Sequence, residues 1–140
     1  MSVFAGLSAG DVVFTTEFTV DRADLTAYAE ASGDHNPIHL DEAAAKAAGL
    51  PNVIAHGMYT MGLVSRAVLE WAAEAELDAS LGAFSARFAK PVVVPADSGA
   101  VVEMEAKVRK VDADSLELAI AVLSGGDKVL APARATLTAN

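Results

Sequence analysis

Cysteine is absent from the 140 residues, which excludes disulfide frameworks, thiolate zinc sites and thiol nucleophiles. Basic residues are scarce: ten Lys and Arg stand against nineteen Asp and Glu, for a formal net charge of −9. Binding nucleic acid requires a basic face that displaces counterions from phosphates, so no nucleic-acid partner is expected. The same shortage disfavours an anionic membrane surface. Long hydrophobic runs are missing too. The most apolar stretch, Gly57 to Leu69, is broken by Arg66 and is too short to span a bilayer. The first thirteen residues, MSVFAGLSAGDVV, contain no Lys or Arg and no sustained apolar segment, so they do not read as a signal peptide. A soluble, cytoplasmic protein is expected, without a membrane partner. No repeat, low-complexity linker or Gly-rich nucleotide loop interrupts the chain, and neither a metal nor a redox cofactor is expected.

What is present is core material. Hydrophobic residues make up 53% of the sequence, enough for one domain over residues 1–140. Asp11 to Phe18 reads as a short strand. Asp21 is a good N-cap for a helix over Arg22 to Ser32, which places Leu25, Tyr28, Ala29 and Ser32 on one face before Gly33 ends it. Asp34 to His39 must then be a loop, with Pro37 holding Asn36 extended. Asp41 caps a second short helix that runs through Ala48 and stops at Gly49 and Pro51. A third helix begins near His56-Gly57 and runs to about Ala75. Its first turns are apolar or small nearly all round, which predicts burial on most sides. Beyond Asp78 the period changes to two. Strands are expected over Leu81–Ala89, Val102–Arg109, Leu116–Val122 and Val129–Thr138, with a hairpin turn at Ser124-Gly125-Gly126-Asp127. The fold class is therefore α+β, an antiparallel sheet wrapped around one long helix. Its unpaired sheet edge would be relieved by pairing in a dimer.

Three features could carry chemistry. Asp34 and His39 lie five residues apart in a loop stiffened by Pro37, with Asn36 able to hydrogen-bond the loop backbone. An acid–base pair needs two titratable groups aimed at one small volume, and imidazole moves protons near neutral pH. Alternatively, Asp34 only caps the turn and His39 is a surface residue. His56-Gly57-Met58 opens the apolar helix, where free N–H groups and partial positive charge can stabilise an oxyanion; Gly57 admits a ligand close to the backbone. Alternatively, Gly57 only makes a turn and His56 packs locally. Ser65 lies eight residues past Gly57 on roughly the same helix face, where it either contacts substrate or bonds back to its own helix.

Taken together, the run Tyr28-Ala29-Glu30-Ala31-Ser32-Gly33-Asp34-His35-Asn36-Pro37-Ile38-His39, the block Ile54-Ala55-His56-Gly57-Met58 and Gly62 resemble the MaoC-like, hydratase-2 family. The segment Arg87 to Pro95 and the element from Gly57 to Gly62 are also similar to the catalytic subunits of mycobacterial-type (3R)-hydroxyacyl-ACP dehydratases. One departure is Pro95-Ala96-Asp97, where many relatives have Pro-Gly-Asp. The resemblance implies a hot-dog fold and (R)-specific hydration or dehydration of a 2-enoyl thioester carried by CoA or acyl carrier protein. It implies Asp34 and His39 as the catalytic pair and Gly57 as oxyanion donor. Asn36, Gly33, Pro37 and His56 would be supporting residues, and Ser65 a further substrate contact. It also implies a homodimer, or a heterodimer with a related silent subunit. A hot-dog thioesterase is the nearest enzymatic alternative, and a non-catalytic acyl-binding subunit the nearest alternative outside enzymes.

Overall fold

The computed structural model describes residues 2–140. Five antiparallel strands form one sheet: β1 (Val12–Val20), β2 (Ala79–Phe88), β3 (Ala100–Val111), β4 (Ser115–Ser124) and β5 (Asp127–Ala139). They lie in the order β1-β3-β4-β5-β2. Every helix is inserted between β1 and β2, namely α1 (Arg22–Ser32), a 3-10 turn (Pro37–His39), α2 (Glu42–Ala47) and α3 (Gly57–Glu74). The expected α+β architecture and all the expected elements are present. The strand order was not readable from periodicity. It makes β1 and β2 the two edges.

Local signals account for the boundaries. Asp21 Oδ1 accepts from Asp24 N–H at 2.8 Å while Asp24 Oδ2 accepts from Asp21 N–H at 3.0 Å, closing a capping box at the start of α1. Gly33 ends α1 at φ 79° and donates to Ala29 O, a left-handed conformation that costs other residues energy. Asp41 Oδ1 caps α2. Gly125 and Gly126 have φ of 58° and 82°, the signature of a two-residue hairpin turn between β4 and β5.

The core lies between the inner face of the sheet and α3. Val102, Met104, Ala106 and Val108 of β3, then Leu116, Leu118, Ile120 and Val122 of β4, are buried and alternate with more exposed neighbours. On α3 the buried residues are Thr60, Leu63, Val64, Ala67, Val68 and Ala72, one stripe at helical spacing. The expectation that α3 is buried on most sides needs correction. Met58 is 62% and Leu69 47% exposed, and Gly62, Arg66 and Glu70 also face out. A five-stranded sheet closes over only one side of a helix, and among the described residues much of the opposite face of α3 is left exposed.

Candidate active site

The Asp34–His39 loop is built by its own side chains. Asp34 N–H donates to Ser32 Oγ at 3.1 Å, Asn36 N–H to Asp34 Oδ1 at 3.1 Å, and Ile38 N–H to Asn36 Oδ1 at 3.3 Å. Pro37 opens the 3-10 turn, where its missing N–H costs nothing. The turn carries His39 inward, to 8% exposure, while Asp34 remains exposed. Asp34 therefore does stabilise the turn, as one alternative held, but a carboxylate has further acceptor sites to spare. The surface alternative for His39 is wrong.

His39 Nδ1 lies 2.7 Å from Ile54 O. A carbonyl only accepts, so Nδ1 carries the proton of that bond and Nε2 presents a lone pair. His56 Nε2 likewise donates to the backbone carbonyl of Asp34 at 3.0 Å. The two imidazoles stack, with centroids 4.0 Å apart and planes at 26°, and Tyr28 lies against His56 at 4.7 Å. Polar atoms of Asp34, His39 and His56 fall within 4.8 Å of one another, yet no direct hydrogen bond joins Asp34 to His39. That spacing suits one bridging water. A metal is a poorer fit, because the lone pairs of the two stacked rings lie in nearly parallel planes.

Gly57 is the first residue of α3. Its N–H has no protein acceptor among the described residues and lies at the positive end of an 18-residue helix. Asp34, His39 and Gly57 all line one cleft of about 730 Å³, within the range of small-molecule sites. The rest of its wall is mainly apolar, including Ile54, Met58, Phe88, Val92 and Leu130.

The cleft omits Ser65 and includes Thr60. Eight residues of helix advance about 12 Å along the axis, too far for a cleft at the helix start, whereas three advance about 4.5 Å. Ser65 is half-buried farther along α3 and does not line this cleft. Two residues had escaped notice. Thr60 is 3% exposed and sits one turn beyond Gly57; its i+3 spacing was the available signal. Phe88 is the last residue of β2, and its ring approaches so near that a Cβ on Gly57 would lie 2.8 Å from Phe88 Cε1. An extra residue in β5, at Ala131-Pro132, offsets the register so that Phe88 faces Leu130. No sequence pattern announces that contact. Lys90 lines the cleft and pairs with Asp127 at 3.5 Å, whereas Lys107, Arg109 and Lys110 pair with Glu105, Glu117 and Asp112 away from it.

Comparison with known proteins agrees with this geometry. The model of the MaoC like domain matches residues 4–123. A 3-hydroxyacyl-thioester dehydratase X from Mycobacterium tuberculosis is 45% identical over 83 residues, covering 59% of this chain and 28% of that protein. A solved MaoC-like dehydratase superposes with a TM-score of 0.89 at 32% identity, covering 98% of this chain and 42% of the other. An R-hydratase from Pseudomonas aeruginosa superposes with a TM-score of 0.81 at 27% identity, covering 99% and 86%. The chain thus spans less than half the length of the first two. With the matched model covering most of its residues and an antiparallel sheet on a long helix shared with solved members, the chain belongs to the MaoC-like domain family and has its hot-dog fold.

Proposed function

We propose that this protein adds water to a trans-2-enoyl thioester, and removes it in reverse, with a (3R)-hydroxyacyl thioester as the other partner. The observation that carries this reading is the convergence of the Asp34 carboxylate, the free Nε2 of His39 and the unpaired Gly57 N–H on one cleft. The thioester carbonyl accepts from Gly57 N–H, and the helix end stabilises the enolate-like charge that develops there. Asp34 and His39 hold one water between them. The pair takes a proton from that water as its oxygen bonds to C3, and returns a proton to C2 on the same face. Dehydration runs the same steps backwards. The groups needed are a base, an acid and an oxyanion donor, all supplied by the chain, with no cofactor in the scheme.

The names of the related dehydratase and R-hydratase support this chemistry. Both CoA and acyl carrier protein remain open as carriers; the position of Lys90 at the cleft offers one cation to either. A second hot-dog chain, identical or related, is the proposed partner. Edge strand β2 has unpaired backbone groups along one side, and Met58, Leu69 and Phe88 are large apolar side chains left exposed. No helix among the described residues is long and apolar enough to cross a membrane, and a cytoplasmic location is proposed with the activity.

Following loss of the conjugated enoyl absorbance of crotonyl-CoA tests the assignment. Asp34→Asn and His39→Ala should each lower turnover by a factor on the order of 10² or more with folding intact. Near-normal rates in both would end it. Release of free thiol, read with a thiol-reactive dye, would indicate a thioesterase instead.

A further inference from the structure

We propose that His56 is a positioning residue that fixes the acid–base loop relative to the oxyanion amide; this rests on the hydratase reading above. His56 is 1% exposed, the most deeply buried polar side chain among the described residues. Its ring forms part of the cleft wall, but Nε2 is spent on the Asp34 carbonyl and Nδ1 is buried, so neither nitrogen is free to exchange a proton with substrate and its role is positioning. Its Nε2–H holds the backbone carbonyl of Asp34 across 22 residues of chain. Its ring is the surface on which His39 stacks. Its own carbonyl accepts from Tyr59 and Thr60 N–H at 3.1 and 3.2 Å, which anchors the first turn of α3, and its peptide bond leads directly into Gly57. One residue therefore touches all three parts of the site.

Packing alone does not account for an imidazole at this position. His56 Nδ1 is buried without a hydrogen-bond partner, a state that carries a free-energy cost. A phenylalanine would fill similar volume and stack equally without that cost. What phenylalanine lacks is the Nε2–H bond. Apart from that bond, the Asp34 peptide and carboxylate are held only by neighbours within residues 32–36, so the loop could pivot relative to the helix. The reacting groups would then lose their mutual distance, and a shift of about 1 Å can cost on the order of 10² in rate.

The test compares two amides that differ in reach. In His56→Gln the side-chain amide nitrogen sits as many bonds from Cα as Nε2 does and still reaches Asp34 O. In His56→Asn it stops where Nδ1 was. Both lose the ring equally. The expected result is a kcat for His56→Gln within about threefold of wild type, and a loss of about tenfold to a hundredfold for His56→Asn with KM unchanged. Equal rates in the two variants, high or low, overturn the proposal. Should His56→Asn not fold, His56→Phe takes its place as the donor-free variant with the same expected loss. Failure of both to fold would make His56 a folding residue and overturn the proposal too. A wild-type chain inactive on enoyl thioesters would sink the hydratase reading instead. Hydrogen exchange at the 34–39 amides needs no turnover and decides the clamp in that case: faster exchange in the Asn variant but not the Gln variant is expected, and equal exchange refutes it.

Discussion

Replacing Gly57 by alanine perturbs the site at its tightest point. Gly57 is helical and does not have positive φ, so its backbone accepts alanine, and helix propensity alone would favour the change by up to about 1 kcal/mol. The added Cβ, however, would lie 2.8, 3.0 and 3.3 Å from Cε1, Cζ and Cδ1 of Phe88, where carbon contacts prefer roughly 3.5–4.0 Å. The ring must retreat by about 0.7–1.2 Å, or the helix start must shift. Phe88 is 55% exposed, so the ring can yield toward solvent, and the net destabilisation should stay near the low end of the overpacking range, about 1 kcal/mol. Catalysis should suffer more, because the new methyl group and the displaced ring both crowd the position of the thioester oxygen. Turnover of crotonyl-CoA should fall by about 10- to 100-fold while the melting temperature drops by only a few degrees. Removing the ring in Gly57→Ala/Phe88→Ala should restore part of the rate, and the four-way comparison with both single variants isolates the contact. Wild-type turnover in Gly57→Ala would refute the oxyanion assignment. A double variant no better than the single one would refute the steric explanation.

Gly33→Ala should lose about 1 kcal/mol, because φ of 79° strains any side chain although space is open; thermal unfolding should register a drop of roughly 3 °C. Arg22 donates through Nε to Val94 O at 2.6 Å and through Nη2 to Asn52 Oδ1 at 2.8 Å, tying down the segment that carries Val92 into the cleft wall. Arg22→Ala should lower stability in urea unfolding by about 1–3 kcal/mol and raise KM more than it lowers kcat. Burial, followed by repulsion from Asp24 and Asp21, raises the pKa of the Tyr59 hydroxyl above its ordinary 10.0. A raised acid pKa favours the neutral form in the fold, so this contribution is complete below the unfolded value and is lost as pH climbs through the folded one. Tyr59→Phe should accordingly flatten the alkaline limb of the stability profile, measured by urea unfolding on either side of pH 10; an unchanged limb would refute it.

The amino-acid sequence by itself determined the features whose causes are local. Asp21 and Gly33 bracket α1, Gly125-Gly126 makes the hairpin, the period-two alternation marks β3 to β5, and Pro37 with Asn36 shapes the loop that brings Asp34 and His39 together. Each depends on dihedral preferences or on hydrogen bonds spanning a few residues, which nearby side chains settle. Only the tertiary structure decided that β2 borders β5 at the sheet edge, that Phe88 lies over Gly57, that Thr60 and not Ser65 reaches the cleft, and that His56 turns back to hold Asp34. These contacts join segments 22 or more residues apart, or hinge on the phase and rise of a helix measured from a site that a distant strand completes. Chain connectivity leaves such distances free until the core between α3 and the sheet fixes them.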